Sequence, residues 1–355
     1  MLQAQCFKHT LSFKRPSGTS RGVLKTKDSW FIKVWDESNP DIVGIGECSL
    51  IQGLSPDSVP NFGAFLTEIC DKINEIDLKA DDFGLDLLAW PSISFGLQNA
   101  FWDLEAKGTK NFNAEFVTGK SIPINGLIWM GQKSFMKEQI DQKIEDGFSC
   151  IKLKIGAIDF SDELELLQYI RKEYSSSEIE LRVDANGGFD NKDALEKLKV
   201  LSDLQIHSIE QPIMAGQYEE MARLCEFSPL DIALDEELIG PFNRERKKKI
   251  LEAINPPYII LKPSLHGGFF GANEWIELAS EQEIEWWATS ALESNIGLNA
   301  IAQWVEKYKN PLPQGLGTGG LFDNNIDSPL YVSNGHLSHY NNATWDLSLF
   351  NLEPV

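Results

Sequence analysis

Five short apolar runs in the middle of the chain end in polar or charged residues that could do chemistry. The first, CIKLKI at 150–155, reads as a strand in which Lys152 and Lys154 share one face, because successive side chains of a strand point to opposite faces. The runs that follow end in LRVDAN, SIEQP, IALDEE and IILKP. They contribute Asp184 with Asn186, then Glu210, then Asp235 with Glu236, and finally Lys262.

The three carboxylates that follow one another in this order predict a metal site. Singly, a terminal Asp or Glu is commonly a helix cap and a terminal lysine a surface ion pair. On adjacent strands, however, Asp184, Glu210 and Asp235 would repel one another in a partly dehydrated site unless a cation lay between them. Oxygen ligands without a nearby histidine or cysteine suit Mg2+, with Mn2+ as an expected substitute.

The lysines are predicted to flank this metal from two sides. Lys152 and Lys154 approach from one strand and Lys262 from another, which suits a carbon acid held between two bases, or between a base and a cationic stabiliser. Asn186 is expected to support the ligands from beside Asp184. Glu236 is expected either to orient Lys262 or to cap a helix.

The elements around these residues predict an α/β barrel. From Ile122 onward, eight strand-like runs, the last a glycine-rich piece near Leu316, alternate with helical stretches. An open dinucleotide-binding sheet is disfavoured because no Gly-x-Gly-x-x-Gly turn follows the first run. The expected organisation is an α+β capping domain at 1–118, a barrel with the metal site at 119–325, and a C-terminal segment at 326–355 that returns to the capping domain.

Composition limits the classes of partner. The 355 residues carry a formal net charge of -21, which argues against nucleic-acid binding. No apolar window of signal-peptide or membrane-spanning type is found, so a cytoplasmic location is expected. The five scattered cysteines suit reduced thiols, and the sequence does not indicate an oligomeric state.

The Lys-x-Lys, Asp, Glu, Asp and Lys positions resemble those of the enolase superfamily, in its muconate-lactonising branch. The resemblance covers nearly the whole chain and implies a modified (β/α)8 barrel, written (β/α)7β, below an N-terminal α+β capping domain. It implies that Lys154 is the base and that Lys262 acts as acid, second base or electrostatic stabiliser. A like charge beside an ammonium favours its neutral form, so Lys152 is expected to activate Lys154 and also to contact the substrate carboxylate.

Four further segments, PSGTSRGVL, NGLIWMG, ATSALESNIGLNAIAQW and GLGTGGLF, resemble the members that dehydrate 2-succinyl-6-hydroxy-2,4-cyclohexadiene-1-carboxylate in menaquinone biosynthesis. This implies a hydro-lyase with a small dicarboxylate as substrate. One carboxylate would meet the metal. Donors for the other are expected from Ser290, Ser294 and the backbone around Gly317, while Arg15 or Arg21 and the segment ECSLIQGLS would close over the pocket.

Two alternatives stay open at this point. A dipeptide epimerase or N-acylamino acid racemase would use Lys154 and Lys262 as opposed bases, but the Asp-x-Asp pair usual in such epimerases is replaced by Asp323 and Asp327, four residues apart. A catalytically silent ligand-binding barrel would be expected to have lost at least one of the five charged positions, and all five are present.

Overall fold

The computed structural model describes residues 1–19, 22–77, 87–156 and 158–351. Arg21 therefore lies outside the described residues. In the described part of the chain, no helix has both the length and the apolar character needed to cross a membrane. All five cysteines are free thiols.

The N-terminal region is a three-stranded antiparallel sheet covered by helices. Its strands are β1 (Leu2–Thr19), β2 (Gly22–Asp36) and β3 (Asn39–Ser49), and its helices are α1 (Phe62–Asp71) and α2 (Pro91–Glu105). Helix α2 packs so closely on β3 that a Cβ atom built on Gly46 would lie 1.8 Å from the carbonyl oxygen of Gly96. Only glycine permits this approach, which buries α2 between the capping sheet and the barrel.

The barrel strands run parallel and follow the order of the sequence around the sheet. The strands are β5 (Gly126–Ile128), β6 (Cys150–Lys154), β7 (Glu180–Asp184), β8 (Ser208–Glu210), β9 (Ile232–Leu234), β10 (Tyr258–Leu261) and β11 (Glu285–Ala288). Short α3 (Ala114–Val117) and β4 (Ile122–Pro123) precede them. The helices that follow the strands are α4 (Lys133–Glu145), α5 (Phe160–Glu173), α6 (Ala194–Ser202), α7 (Tyr218–Phe227), α8 (Arg244–Ile254), α9 (Gly268–Ser280) and α10 (Asn295–Glu306).

Two residues of the eighth strand-like run close the barrel. Gln314 bridges in parallel to Ile124 on one side, and Gly315 bridges in parallel to Thr289 on the other. The N–H of Gly315 donates to the carbonyl of Ala288 at 2.8 Å, and the N–H of Asn125 donates to Gln314 at 3.0 Å. The predicted α/β fold class, a modified (β/α)8 barrel with an N-terminal α+β capping domain, is confirmed.

The C-terminal segment contacts both parts of the molecule. The hairpin of β12 (Leu330–Ser333) and β13 (His336–His339) pairs with β4 next to the barrel. After it, Trp345 and Phe350 pack against Phe31 and Ile45 of the capping sheet. The predicted boundaries of the three regions stay predictions.

Candidate active site

Strand register places the five charged positions at one end of the barrel. Lys154 of β6 lies opposite Asp184 of β7, and Asp184 lies opposite Glu210 of β8. Asp235 follows the last residue of β9, and Lys262 follows the last residue of β10. Parallel strands bring their carboxyl ends to the same rim, so alternation along each strand is sufficient to turn these side chains inward.

The three carboxylates form one buried cluster. Asp184, Glu210 and Asp235 each offer an oxygen atom, and these oxygens lie within 4.8 Å of one another. All three residues are fully buried, and Oε1 of Glu210 has no hydrogen-bond partner among the described residues. Three converging carboxylates with an unpaired oxygen fit a divalent cation, because each carboxylate could supply one ligand atom.

The lysines surround this cluster. Nζ of Lys152 lies 2.8 Å from Oε2 of Glu210 and 3.4 Å from Oδ2 of Asp184. Nζ of Lys154 donates to Asp184 and to Oδ1 of Asn186, the latter at 2.8 Å. On the opposite side, Nζ of Lys262 lies 2.6 Å from Oδ1 of Asp235. The two lysines of β6 and the lysine after β10 therefore approach from opposite sides.

The electrostatics of the cluster reflect closely packed acidic groups. Burial raises the pKa of Glu210 to about 8, and the neighbouring Asp184 and Asp235 add to the shift while Lys152 opposes it. Burial alone would lower the pKa of Lys152, but the carboxylates of Glu210 and Asp184 outweigh it and raise that pKa. The pKa of Asp184, in contrast, is lowered, because Lys154 and Lys152 outweigh its burial. The raised pKa of Lys152 reflects the negative charge of the carboxylates around it, which a divalent cation would share.

Asn186 and Glu236 connect the two sides of the site. The backbone N–H of Asn186 donates to Oδ1 of Asp184 at 3.0 Å, and its side-chain amide donates to Oε1 of Glu236 at 3.0 Å. Asn186 has φ of 44°, in the left-handed region that asparagine tolerates better than most residues. Asn186 thus joins Lys154 to Glu236. The charge of Glu236 in turn helps to raise the pKa of Lys262.

A cavity of about 490 Å³ lies above the cluster. Lys152, Lys154, Lys262 and Asn186 line its base, and the capping domain contributes the segments 22–24 and 51–54. One wall of the cavity is formed by residues next to β5, after β11 and after the closing strand. All of them are neutral: Asn125, Trp129, Thr289, Ser290, Gly317 and Thr318. None of the described lining residues is acidic. The cavity is therefore cationic at its base and neutral on one side.

The residues predicted to bind substrate are not all placed together. Ser290 and Gly317 line the cavity, and the hydroxyl of Ser290 donates to Oε2 of Glu293 at 2.6 Å. Ser294 does not line it: its hydroxyl donates to Glu47 of the capping domain at 2.6 Å and accepts from the N–H of Ile296 at the start of α10. Ser294 is therefore a contact between the domains, and we do not include it in the proposed substrate site.

Arg15, the other cation proposed to close over the pocket, lies outside the cavity lining. Arg15 is 3.9 Å from Glu138, its side chain is 70% exposed, and it does not line the cavity. In the segment ECSLIQGLS, residues 51–54 do line the cavity, as expected of a covering loop.

Sequence reasoning missed several polar residues around the cavity. Buried side-chain atoms without a partner among the described residues include Oδ1 of Asn125, Nε1 of Trp129, Oγ1 of Thr289 and Oγ1 of Thr318. Glu293 was also missed, although it is fully buried and accepts from Ser264 and Ser290. The sequence did offer a signal for Glu293, since it is a lone acidic residue three positions after Ser290. Trp129, Thr289 and Thr318 lie in or next to strand-like runs, where such residues are ordinarily explained by packing.

Comparison with known proteins agrees with this geometry. Residues 135–341 match the family described as enolase C-terminal domain-like. The o-succinylbenzoate synthase of Desulfotalea psychrophila is 47% identical over 357 residues, covering 92% of this chain and 96% of that protein. The crystal structure of MenC from D. psychrophila LSv54 has a TM-score of 0.82 at 42% identity and covers 95% of this chain and 99% of that chain.

More distant relatives share the fold. The D-Ala-D/L-Ala epimerase of Cytophaga hutchinsonii is 26% identical over 84% of this chain and 82% of that protein. A dipeptide epimerase from C. hutchinsonii, solved with Mg and a dipeptide, has a TM-score of 0.81 at 20% identity and covers 100% of this chain and 99% of that chain. The buried triad Asp184, Glu210 and Asp235 is typical of the superfamily's divalent-metal site. The chain therefore belongs to the enolase superfamily and, within it, to the family of o-succinylbenzoate synthases.

Proposed function

We propose that this chain is a hydro-lyase that converts 2-succinyl-6-hydroxy-2,4-cyclohexadiene-1-carboxylate to o-succinylbenzoate, a step of menaquinone biosynthesis. The observation that carries this choice of reaction is the 47% identity to an o-succinylbenzoate synthase over 92% of the chain. The substrate is a small molecule.

Asp184, Glu210 and Asp235 would hold Mg2+, with Mn2+ as a substitute, because their oxygens converge within 4.8 Å and one of them has no other partner. When bound, the ion supplies positive charge that stabilises the negative charge developing on the substrate carboxylate.

The location of the protein in the cytoplasm also stays a proposal.

Lys154 would remove the proton from the ring carbon that bears the carboxylate. The C–H bond breaks, its electron pair becomes the new ring double bond, and the C–O bond to the hydroxyl breaks on the same face. Lys154 then returns its proton to the departing hydroxide, so water leaves and the base is regenerated. Lys152, beside it on β6, would contact the substrate carboxylate.

Lys262 would hold its positive charge on the opposite side of the ring. Burial lowers the pKa of Lys262, but the carboxylates of Asp235 and Glu236 outweigh burial and raise it. We assign Lys262 to charge stabilisation rather than to a second base, because its ammonium group contacts both oxygens of Asp235 across the cavity from Lys154.

The neutral wall favours a dicarboxylate over a dipeptide. Ser290, Thr289 and Thr318 have hydroxyl groups, and Gly317 brings backbone close to the cavity, so the wall can donate hydrogen bonds to the second carboxylate. An ammonium group would need an acidic partner, and the described lining residues include none. Asp323 and Asp327 are exposed and lie outside the cavity lining.

Racemisation or epimerisation is the second candidate function, as a side activity. It is favoured by the opposed lysines and by the 26% identity to an epimerase over 84% of the chain. Both reactions start with removal of a proton next to a carboxylate, so the same base would serve either.

The proposal is tested with the full chain and three classes of substrate. Aromatisation of the cyclohexadiene dicarboxylate is followed by absorbance with Mg2+ and with excess chelator, beside L-Ala-L-Glu and N-succinylamino acids assayed for loss of chirality. We expect metal-dependent aromatisation with the highest kcat/KM of the three. Epimerisation with no aromatisation would replace the proposal by its alternative, and no turnover of any substrate would favour a silent binding barrel.

A further inference from the structure

Gln211 follows the carboxylate Glu210 and lies where three strand ends meet. It is fully buried, and its backbone has φ of 38°. This angle lies in the left-handed region, which residues other than glycine and asparagine rarely adopt. Such a conformation persists only when surrounding contacts fix it. The contacts of Gln211 therefore need an explanation.

The backbone of Gln211 joins the strands on both sides of β8. Its N–H donates to the carbonyl of Ala233 in β9 at 3.0 Å, and its carbonyl accepts from the N–H of Gly187, just after β7, at 2.7 Å. These two backbone hydrogen bonds connect the end of β8 to β9, which Asp235 follows, and to the segment after β7, which ends at Asp184.

The side chain of Gln211 adds four contacts. Oε1 accepts from the backbone N–H of Asp235 at 3.1 Å and of Glu237 at 3.3 Å. Nε2 donates to the carbonyl of Ile213 at 3.0 Å and to Oε2 of Glu237 at 2.9 Å. Glu237 in turn accepts from the N–H of Gly216 through Oε1. All the hydrogen-bonding capacity of the amide is used, and half of it is directed to the backbone next to Asp235.

We propose that Gln211 is a positioning residue that fixes the spacing of Asp184, Glu210 and Asp235, and that its hydrogen bond to Glu237 sets the affinity of this triad for a divalent cation. The inference rests on the proposed metal site but not on the identity of the substrate. Small displacements of a ligand weaken a metal site, and loss of an outer partner typically costs 10- to 100-fold in affinity.

The substitution Gln211→Glu removes the two hydrogen bonds that the side-chain amide group donates, to Glu237 and to the carbonyl of Ile213. It keeps the shape of the side chain and an oxygen that can accept from Asp235 and Glu237. It replaces the amide donor by an oxygen that faces the Ile213 carbonyl and the Glu237 carboxylate, which repel it. We expect the dissociation constant of Mg2+, measured by calorimetry on metal-free protein, and of Mn2+, measured by electron paramagnetic resonance, to rise 10- to 100-fold.

A second substitution in the same chain tests the pairing. Adding Glu237→Gln to Gln211→Glu places an amide donor opposite the new carboxylate, while the remaining amide oxygen can still accept from Gly216. We expect the double variant to recover Mg2+ affinity to within about threefold of the native protein, since only the bond to Ile213 stays lost. A merely structural role would give no such recovery.

Gln314 offers a matched control on the opposite side of the barrel. It is also fully buried, its Oε1 accepts from the N–H of Ala288 at 2.7 Å, and its Nε2 donates to the carbonyl of Leu312. Gln314→Glu removes a comparable donor far from the triad and should leave the Mg2+ dissociation constant within about twofold.

The outcomes separate this inference from the proposed reaction. Native Mg2+ affinity in Gln211→Glu, equal weakening in Gln314→Glu, or no recovery in the double variant would overturn it. If Gln211→Glu does not fold by circular dichroism, Glu237→Ala, which removes the acceptor of the Gln211 amide, is measured alone, and unchanged Mg2+ affinity there would overturn the inference as well. Failure of the native protein to dehydrate the substrate, with the predicted changes in metal affinity intact, would reject the reaction and leave the inference standing.

Discussion

Lys262 and Lys154 face the cavity from opposite sides and have different partners. Lys262 contacts both oxygens of Asp235, whereas Lys154 contacts Asp184 and the amide oxygen of Asn186. Asn186 is neutral, so Lys154 has one fewer acidic oxygen in direct contact. This asymmetry supports placing the base on the β6 side and the stabilising charge on the β10 side.

Lys262→Ala should lower kcat for dehydration by about 100-fold or more at saturating Mg2+, because a positioned charge acting on the transition state is worth about that much. KM should change less than kcat, as expected for a group that acts mainly in the transition state. Lys249→Ala, on a side chain 70% exposed, is the control and should keep native kinetics. Native kcat in Lys262→Ala would remove the stabilising role assigned to this lysine.

Thr318→Val should weaken binding of o-succinylbenzoate by about tenfold, because a hydrogen bond to a charged group contributes about 1.5–3 kcal/mol. Oγ1 of Thr318 is buried without a partner among the described residues, so the hydroxyl is available to a ligand. The reference ligand is 2-butyrylbenzoate, which lacks the second carboxylate and should bind the variant as it binds the native protein. Equal losses for both ligands would show that Thr318 does not read this carboxylate.

The charged positions could be predicted from the sequence because each one closes a short apolar run, and parallel strands bring such ends together. Ser294 could not be placed in this way, since its partner Glu47 is 247 residues earlier in the chain and belongs to the capping sheet. Trp129 and Thr318 were missed because their side chains carry no charge, so only the geometry of the cavity distinguishes them from ordinary packing.

The length of each strand explains which strands the sequence predicts and which pairing it misses. The helices and β6 to β11 follow the apolar alternation of the sequence. The closing strand, at Gln314 and Gly315, begins the glycine-rich run that the sequence predicts near Leu316. Strand β4 has only two residues and shows no period of its own. The pairing of the C-terminal hairpin with β4 was therefore not predicted.

Helix α2 starts next to a buried carboxylate, and this contact predicts a pH dependence. Ser92 donates its N–H and its hydroxyl to Oδ2 of Asp57 at 2.9 and 2.6 Å. Burial raises the pKa of Asp57 to about 6, although the bonds from Ser92 oppose the shift. A carboxyl whose pKa is raised on folding favours the folded state at low pH, and this contribution is lost as pH rises from about 4 through about 6.

Asp57→Asn removes this titration while keeping an oxygen acceptor for Ser92. From pH 7.5 to pH 5, the native protein should gain stability relative to the variant by about 1.4 kcal/mol, the value of one pKa unit. Denaturant unfolding of both proteins across this range measures the difference. A difference that is constant with pH, or that shrinks on acidification in favour of the variant, would contradict the assignment.

A buried polar network joins the capping domain to the barrel. Lys27 donates to Ser29 at 2.7 Å, and Ser29 donates to Oε1 of Glu47 at 2.6 Å. Glu47 accepts from the N–H of Ser294 at 2.9 Å and from Gly297 at 3.1 Å, both at the start of α10. This network anchors the capping domain, whose residues 51–54 line the cavity and would exclude water from the proposed reacting groups.

Divalent cations should stabilise the whole chain. Binding to the folded state alone adds about 2.7 kcal/mol at a concentration 100 times the dissociation constant, so Mg2+ should raise the unfolding temperature measured by calorimetry. Asp184→Asn should lose most of this increase, while Asp323→Asn, at an exposed position outside the cavity lining, should keep it. An equal increase in all three proteins would place the bound ion away from the triad.

Lys154 is proposed to remove the substrate proton within this metal site. The most direct test is the rate at which Lys154→Ala aromatises the cyclohexadiene dicarboxylate at saturating Mg2+, beside its affinity for o-succinylbenzoate. We expect kcat to fall by a factor on the order of 1000 or more, as for loss of a general base, with product affinity within a few-fold of native. Turnover at the native rate by a variant that binds product normally would contradict the claim.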